Sequence, residues 1–116
     1  MKQSIGILID AKNRTLKIVR ISGLEDMYRE MEVDLVTIGT HIDDKNSIFV
    51  DDEGLLKNPE HFFFWEGAHQ PFAGNGLILA ADDEGETIST TITGKEAQEK
   101  ITFLSYSDLK KFNGGR

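Results

Sequence analysis

Apolar residues along this chain fall in short bursts between polar, glycine-bearing turns, and most bursts carry the spacing of strands. Ser4-Ile5-Gly6-Ile7-Leu8-Ile9-Asp10 reads as a buried strand, β-branched and closed by the polar turn Ala11-Lys12-Asn13-Arg14. Asp10 and Asn13 both bond readily to nearby backbone, and Asn13 tolerates the left-handed conformation such turns often need. Leu16 to Ile21 returns as a second strand, so the chain opens with a β-hairpin. Val36, Ile38, Thr40 and Ile42 alternate along a third strand. The turn Asp43-Asp44-Lys45-Asn46 then feeds a fourth, Ser47 to Val50. Leu77 to Ala81 is a fifth strand with Glu86 to Thr91 as a pairing partner, and Ile101 to Leu104 is the last.

Helical spacing occurs in two places. Leu24, Met27, Tyr28 and Met31 form one apolar stripe at i, i+3, i+4 and i+7, with Asp26, Arg29 and Glu30 on the wet face. Ser22-Gly23-Leu24-Glu25 before it has the form of a capping box, Ser22 as N-cap and Glu25 reaching back. Thr93-Gly94-Lys95-Glu96 repeats that form and starts a short helix ending near Lys100. Ser105 to Phe112 adds a terminal turn, and residues 113–116 are expected to fray.

The stretch from Asp51 to Gly76 is less regular. It holds Pro59, Pro71, the aromatic run Phe62-Phe63-Phe64-Trp65 and glycines 54, 67, 74 and 76. A short helical turn is expected near Glu60 to Phe64, with the rest packed over the sheet as an ordered loop. These elements predict an α+β fold, a mainly antiparallel sheet of about five to six strands with two short helices packed on it.

Composition narrows the class. At 116 residues the chain has the size of one domain, 1–116, with no internal boundary. Hydrophobic residues are 39% and charged residues 28%, which is globular rather than disordered usage. Cysteine is absent, so disulfides, thiolate nucleophiles and cysteine metal sites are excluded. The apolar stretch Ile5 to Ile9 is too short for a signal-peptide core, and no run reaches the roughly 18–20 apolar residues that span a membrane. A cytoplasmic protein without membrane contact is the expectation. The net charge of −7 opposes direct binding to nucleic-acid phosphates. It suits a basic protein partner, and it equally suits a role in solubility alone.

Candidate chemistry is sparse. Asp51-Asp52-Glu53-Gly54 and Asp82-Asp83-Glu84-Gly85 repeat one phrase, each after a strand. Clustered carboxylates are what a hard cation needs, so Asp51, Asp52, Asp82 and Asp83 are the candidate metal ligands if the two loops converge. The plainer reading is a turn, with the acids in its early positions and a glycine at positive φ closing it. His41, His61 and His69 lack helical metal spacing, although His41 lies beside Asp43 and Asp44 as an acid–base pair would. Without a pocket, that arrangement is a strand-end histidine bonded to polar neighbours. Gly74-Asn75-Gly76 precedes a strand, whereas a dinucleotide fingerprint follows one, so a tight turn is the better reading. No catalytic residue and no cofactor is assigned.

The aromatic run is the least ordinary feature. Four consecutive aromatics cannot all face one core, so part of the run is expected to stay exposed as an interface or ligand pocket. The alternative is a loop that buries all four from different directions. If a binding surface exists, it is sought first at Phe62, Phe63, Phe64 and Trp65, with Gln70, Pro71 and Phe72.

Four phrases occur in a telling order: Ile5 to Asp10, Phe49-Val50-Asp51-Asp52-Glu53-Gly54-Leu55-Leu56, Gln70-Pro71-Phe72-Ala73-Gly74-Asn75-Gly76-Leu77, and Asp82 to Gly85. In that order the chain resembles a family of small proteins carried by bacteriophages, plasmids and other mobile elements, the domain of unknown function DUF3846. The resemblance runs from about Ile5 to Leu104 and brings no established site residues. It implies an accessory protein that acts by stoichiometric binding to a host protein or a small ligand. Two other readings stand beside it: an acidic DNA mimic that occupies a host protein's DNA groove, and a small metal-assisted enzyme using the paired acidic loops.

Overall fold

The computed structural model describes residues 3–111. The opening hairpin is β1 (Ser4–Asp10) and β2 (Thr15–Ile21), with Ile7 opposite Ile18. Its turn is tied by Asp10, whose carboxylate accepts from the Asn13 backbone N–H at 3.1 Å and the Asn13 side-chain amide at 2.8 Å. With Asn13 so engaged, the left-handed residue is Arg14, at φ 57°.

Helix α1 (Leu24–Met31) begins one residue later than the capping box expected at Ser22 and Glu25. Gly23 is the N-cap, and Asp26, three residues on, accepts from the Ser22 backbone N–H at 2.6 Å. Met27 and Met31 bury the apolar face, while Leu24 is left exposed because it starts the helix beyond the edge of the core.

Next come β3 (Val36–His41) and β4 (Asn46–Asp51), then a short 3-10 turn, Gly54–Lys57. A bulge at Gly39 breaks the β3–β4 register: Ile38 faces Phe49 and Thr40 faces Ile48. It interrupts the alternation expected from Val36 to Ile42, and Ile38 turns to solvent. The remaining elements are β5 (His61–Trp65), β6 (Phe72–Ala73), β7 (Gly76–Ala81), β8 (Thr87–Ile88), α2 (Gly94–Lys100), β9 (Ile101–Ser105) and α3 (Tyr106–Leu109). The Thr93 and Glu96 capping box is present at α2, and Ser105 with Asp108 makes another at α3. The fraying expected at 113–116 falls outside the described residues.

The fold is α+β and mostly strand. The main sheet is antiparallel in the order β2-β1-β7-β4-β3, with β8 beside the far end of β7. A second antiparallel sheet, β6-β5-β9, covers one face of it. Period-two alternation sorts the core between the two faces. Ile7, Ile9, Ile48, Val50 and Ile78 meet the aromatics of the second sheet. Leu8, Leu77 and Leu79 meet Met27 and Met31 of α1. Among the described residues no helix is long and apolar enough to cross a membrane.

Several turns are tied by carboxylates, which makes stability depend on pH. Backbone N–H groups of Asn46 and Lys45 hold Asp43 below the usual carboxylate range. The Ser22 N–H and Arg29 do the same for Asp26, and the Ser105 N–H and Arg14 for Asp108. Burial pushes Asp10 up, but the Asn13 bonds and Lys17 outweigh it and its net shift is also downward. A lowered pKa in the folded state means that the unfolded chain binds more protons in the acid range. The stabilisation is therefore complete above the ordinary carboxylate value of 3.8 and is lost as pH falls through the lower folded values. Urea midpoints should fall steeply below about pH 4. Asp43→Ala should be less stable than the parent at neutral pH, with the gap narrowing in acid. A gap that stays constant down to the acid limit would remove Asp43 from this account.

Candidate functional site

The aromatic run does not form a surface. Phe62, Phe63, Phe64 and Trp65 are 3%, 0%, 7% and 5% exposed, and Phe72 is 8%. The stretch is strand β5 and not the helical turn expected near Glu60 to Phe64. β5 is the central strand of its sheet, so its backbone is paired on both sides. Its side chains join one apolar cluster with the main sheet, Ala97 of α2 and Leu109 of α3. Covering both faces buries consecutive aromatics that one core could not. Of the two readings of the run, partial exposure is thereby overturned and burial of all four holds, and Gln70 alone of the seven candidates is exposed.

What the second sheet does create is a groove of about 500 Å³ where β6 and the 3-10 turn meet β3. Its base is apolar: Val50, Phe62, Phe72 and Ala73. Gly39 lets the base form, because a Cβ there would lie 3.0 Å from Cε1 of Phe72 and 2.9 Å from Cγ1 of Val50. Gly54 seats the 3-10 turn on β6 in the same way, with a Cβ position 3.1 Å from the Ala73 carbonyl oxygen. At the rim stand Ile38, Leu55 and Leu56, which are 46%, 74% and 82% exposed. None of the three was a site candidate from the sequence, where Ile38 was read as part of a strand and Leu55-Leu56 as part of a family phrase. Leu55-Leu56 directly after a polar turn, with no apolar position at strand or helix spacing beside them, was the available signal.

Asp51 and Asp52 lie at this groove. The Asp51 carboxylate is inward, its side chain only 7% exposed, and it accepts from Lys57 Nζ at 2.9 Å and from the Glu53 backbone N–H at 2.9 Å. The bond it donates to Asp51 holds the Lys57 ammonium above the ordinary lysine range, with Asp34 and Glu53 adding to the field. Asp52 is exposed, and its backbone N–H donates to the Leu35 carbonyl at 3.1 Å.

Asp82 ties its own turn, accepting from the N–H groups of Glu84 at 3.0 Å and Glu86 at 2.9 Å, and Asp83 is exposed. The two acidic phrases thus share one bond, donated to the first Asp by the N–H two residues on. Their glycines differ: Gly85 has φ +84°, as a closing turn glycine should, whereas Gly54 is needed for space against Ala73. The loops do not converge. β4 and β7 are antiparallel with Val50 opposite Gly76 and Asn46 opposite Ala80, so Asp51-Asp52 and Asp82-Asp83 lie at opposite ends. Their separation along the strands is on the order of 20 Å at about 3.3 Å per residue.

The other marked residues serve the fold. His41 Nδ1 bonds Ser47 Oγ at 2.9 Å on the paired strand, while Asp43 is taken up by Asn46. Asn75 accepts from the Ala11 N–H at 3.0 Å and donates to the Met31 carbonyl at 3.3 Å, which pins the turn opened by Gly74 at φ +78°. His61 begins β5 and His69 is exposed. Among the described residues, no group of three or more histidines and acids is gathered as a metal would need.

No curated protein and no solved structure matches the chain. The sequence profile of one family matches residues 1–102, nearly the span over which the ordered phrases resemble it. On that match the chain belongs to the family described as a domain of unknown function, DUF3846.

Proposed function

We propose that this protein is a non-enzymatic binding module: a cytoplasmic accessory protein of a phage or mobile element that holds a host protein. The observation that carries the reading is the groove whose rim exposes Ile38, Leu55 and Leu56 over an apolar base. Single exposed aliphatics are ordinary, whereas several around one concavity mark interaction surfaces. A small molecule seated in the groove would leave Leu55 and Leu56 largely wet, so a protein surface fits better. The commitment of Asp51 to Lys57 and to its own turn favours binding over acid–base work. The mobile-element origin rests on the resemblance of the ordered phrases. A metal-assisted enzyme would need the two acidic turns in one cleft, and a DNA mimic would need an acidic stripe free of the interspersed Lys12, Arg14, Lys17, Arg20 and Arg29.

Native mass spectrometry of the protein purified from its own cells, without chelator, tests this. Parent chain and Ile18→Ser should carry the same partner mass, Ile18 being exposed away from the groove. Leu55→Ser with Leu56→Ser should lose it by about tenfold or more, as apolar anchors do. Fold stability should change by no more than about 0.5 kcal/mol at such exposed positions. A partner retained by the double variant, or a chain free of partner in every case, would reject the reading.

A further inference from the structure

We infer that the partner enters as an extended segment, apolar residues alternating with basic ones, that pairs as an added strand with the open edge of β3. This rests on the groove being the binding surface. Among the described residues β3 closes the order of the main sheet and pairs with β4 alone. The Asp52 N–H bonds the Leu35 carbonyl, and Val36 stands opposite Asp51. In an antiparallel ladder the inward-bonding residues alternate, so Leu35 and Thr37 face β4. The N–H and C=O groups of Val36 and Ile38 then point away from the sheet, toward the open side.

The two edges of the main sheet are unlike. β2 carries Lys17 and Arg20 and has α2 packed against it, which are the devices that keep edges from pairing. β3 reads Val36-Thr37-Ile38-Gly39-Thr40-His41, with no lysine, arginine, carboxylate or proline. Its bulge at Gly39 limits the usable edge to a short stretch and leaves Val36 to Ile38 regular. Strand addition needs such an edge with apolar pockets for alternate side chains, and the groove under Ile38 supplies them.

Charge sets the other positions. Of the described residues lining the groove, the charged ones are Asp51 and Asp52. Asp34 and Glu53 act on Lys57 together with Asp51, so three carboxylates face one ammonium, and Asp52 stands exposed beside them in sequence. Lysine or arginine between the apolar residues of the segment complements that rim, and an acidic segment is repelled by it.

The test uses the full chain with short fluorescent peptides: alternating lysine and valine, alternating glutamate and valine, and the lysine–valine peptide with alternate backbone nitrogens methylated. The lysine–valine peptide should bind at least about tenfold more tightly than the glutamate–valine one, and less tightly as salt rises. Methylation should abolish binding, because it removes donors the edge requires. Bound peptide should slow hydrogen exchange at the Val36 and Ile38 amides. Ile38→Pro should lose binding, and Ile38→Lys, which guards the edge without altering the backbone, should weaken it about tenfold. No binding, equal binding of both charges, or protection confined to other strands would overturn the inference. So would concentration-dependent self-association that protects the same amides, which gives the edge to a second copy. A chain ending at Lys111 that binds about tenfold better would also overturn it, by giving the edge to the chain's own last residues. Peptide failure with a leucine-dependent native complex sinks the strand alone. Peptide binding with a native complex indifferent to Leu55 and Leu56 sinks the groove reading.

Discussion

Phe63→Ala should lower the unfolding free energy by about 3–5 kcal/mol, the cost of removing a fully enclosed aromatic ring. Phe63 is 0% exposed, its ring centroid lies 5.5 Å from that of Phe72, and its edge closes on Gly76 of the main sheet. Nothing beside it can fill the void, since its neighbours are themselves paired in strands. Such a loss is a large share of the 5–15 kcal/mol that holds a typical domain folded. Urea denaturation monitored by Trp65 fluorescence gives the value, and a loss below about 1 kcal/mol would mean that the two sheets are not packed through this ring. The same result limits what can be learned from the aromatic run. Binding lost in Phe63→Ala or Trp65→Ala would report a damaged core, whereas substitutions at Leu55 and Leu56 test the surface itself.

Gly76→Ala should cost about 1–3 kcal/mol or more, from overpacking. A Cβ at this position would lie 2.5 Å from Cζ of Phe63, 2.9 Å from its Cε1 and 3.3 Å from Cγ2 of Ile48. Phe63 cannot retreat, because β5 is bonded on both sides and the ring has no free volume. The clash is with one ring, so shortening that ring should relieve it. Phe63→Leu combined with Gly76→Ala should be less destabilised than the sum of the single changes, by about 1 kcal/mol. Strict additivity in the denaturation cycle would place the strain elsewhere. Gly76 is thus required for close approach between the sheets, while Gly74, two residues earlier, is required for its positive φ.

The opening hairpin, the hairpin at Asp43 to Asn46, the strand at Leu77 and the helix after Thr93 were all legible, because each depends on residues near one another in the chain. Alternation, turn chemistry and capping are local physics. The helix at Leu24 was legible too, although Gly23 displaced Ser22 as its cap and Asp26 displaced Glu25; the Ser22 N–H still finds a carboxylate after the shift, while Gly23 supplies no side-chain cap. The family was readable for a different reason: order among four phrases carries information that no single phrase does.

What the sequence determined by itself was therefore the inventory outside Asp51 to Gly76: its strands and helices, the turns that join them, and an acidic, cysteine-free composition that restricts the chemistry; inside that stretch β5 and β6 stand where a helical turn and a loop were expected. Tertiary structure alone decided which faces those segments hide. Four adjacent aromatics are ambiguous in isolation, and they become core only because β6 and β9 flank β5 and the main sheet lies beneath it. Two similar acidic phrases become distant turns only because β4 and β7 run antiparallel. Ile38, Leu55 and Leu56 become a rim only because a bulge turns one outward and Gly54 seats the others against β6. Burial and edges are properties of neighbours far apart in sequence, brought together by the hydrophobic closure of the two sheets, and no local pattern encodes them.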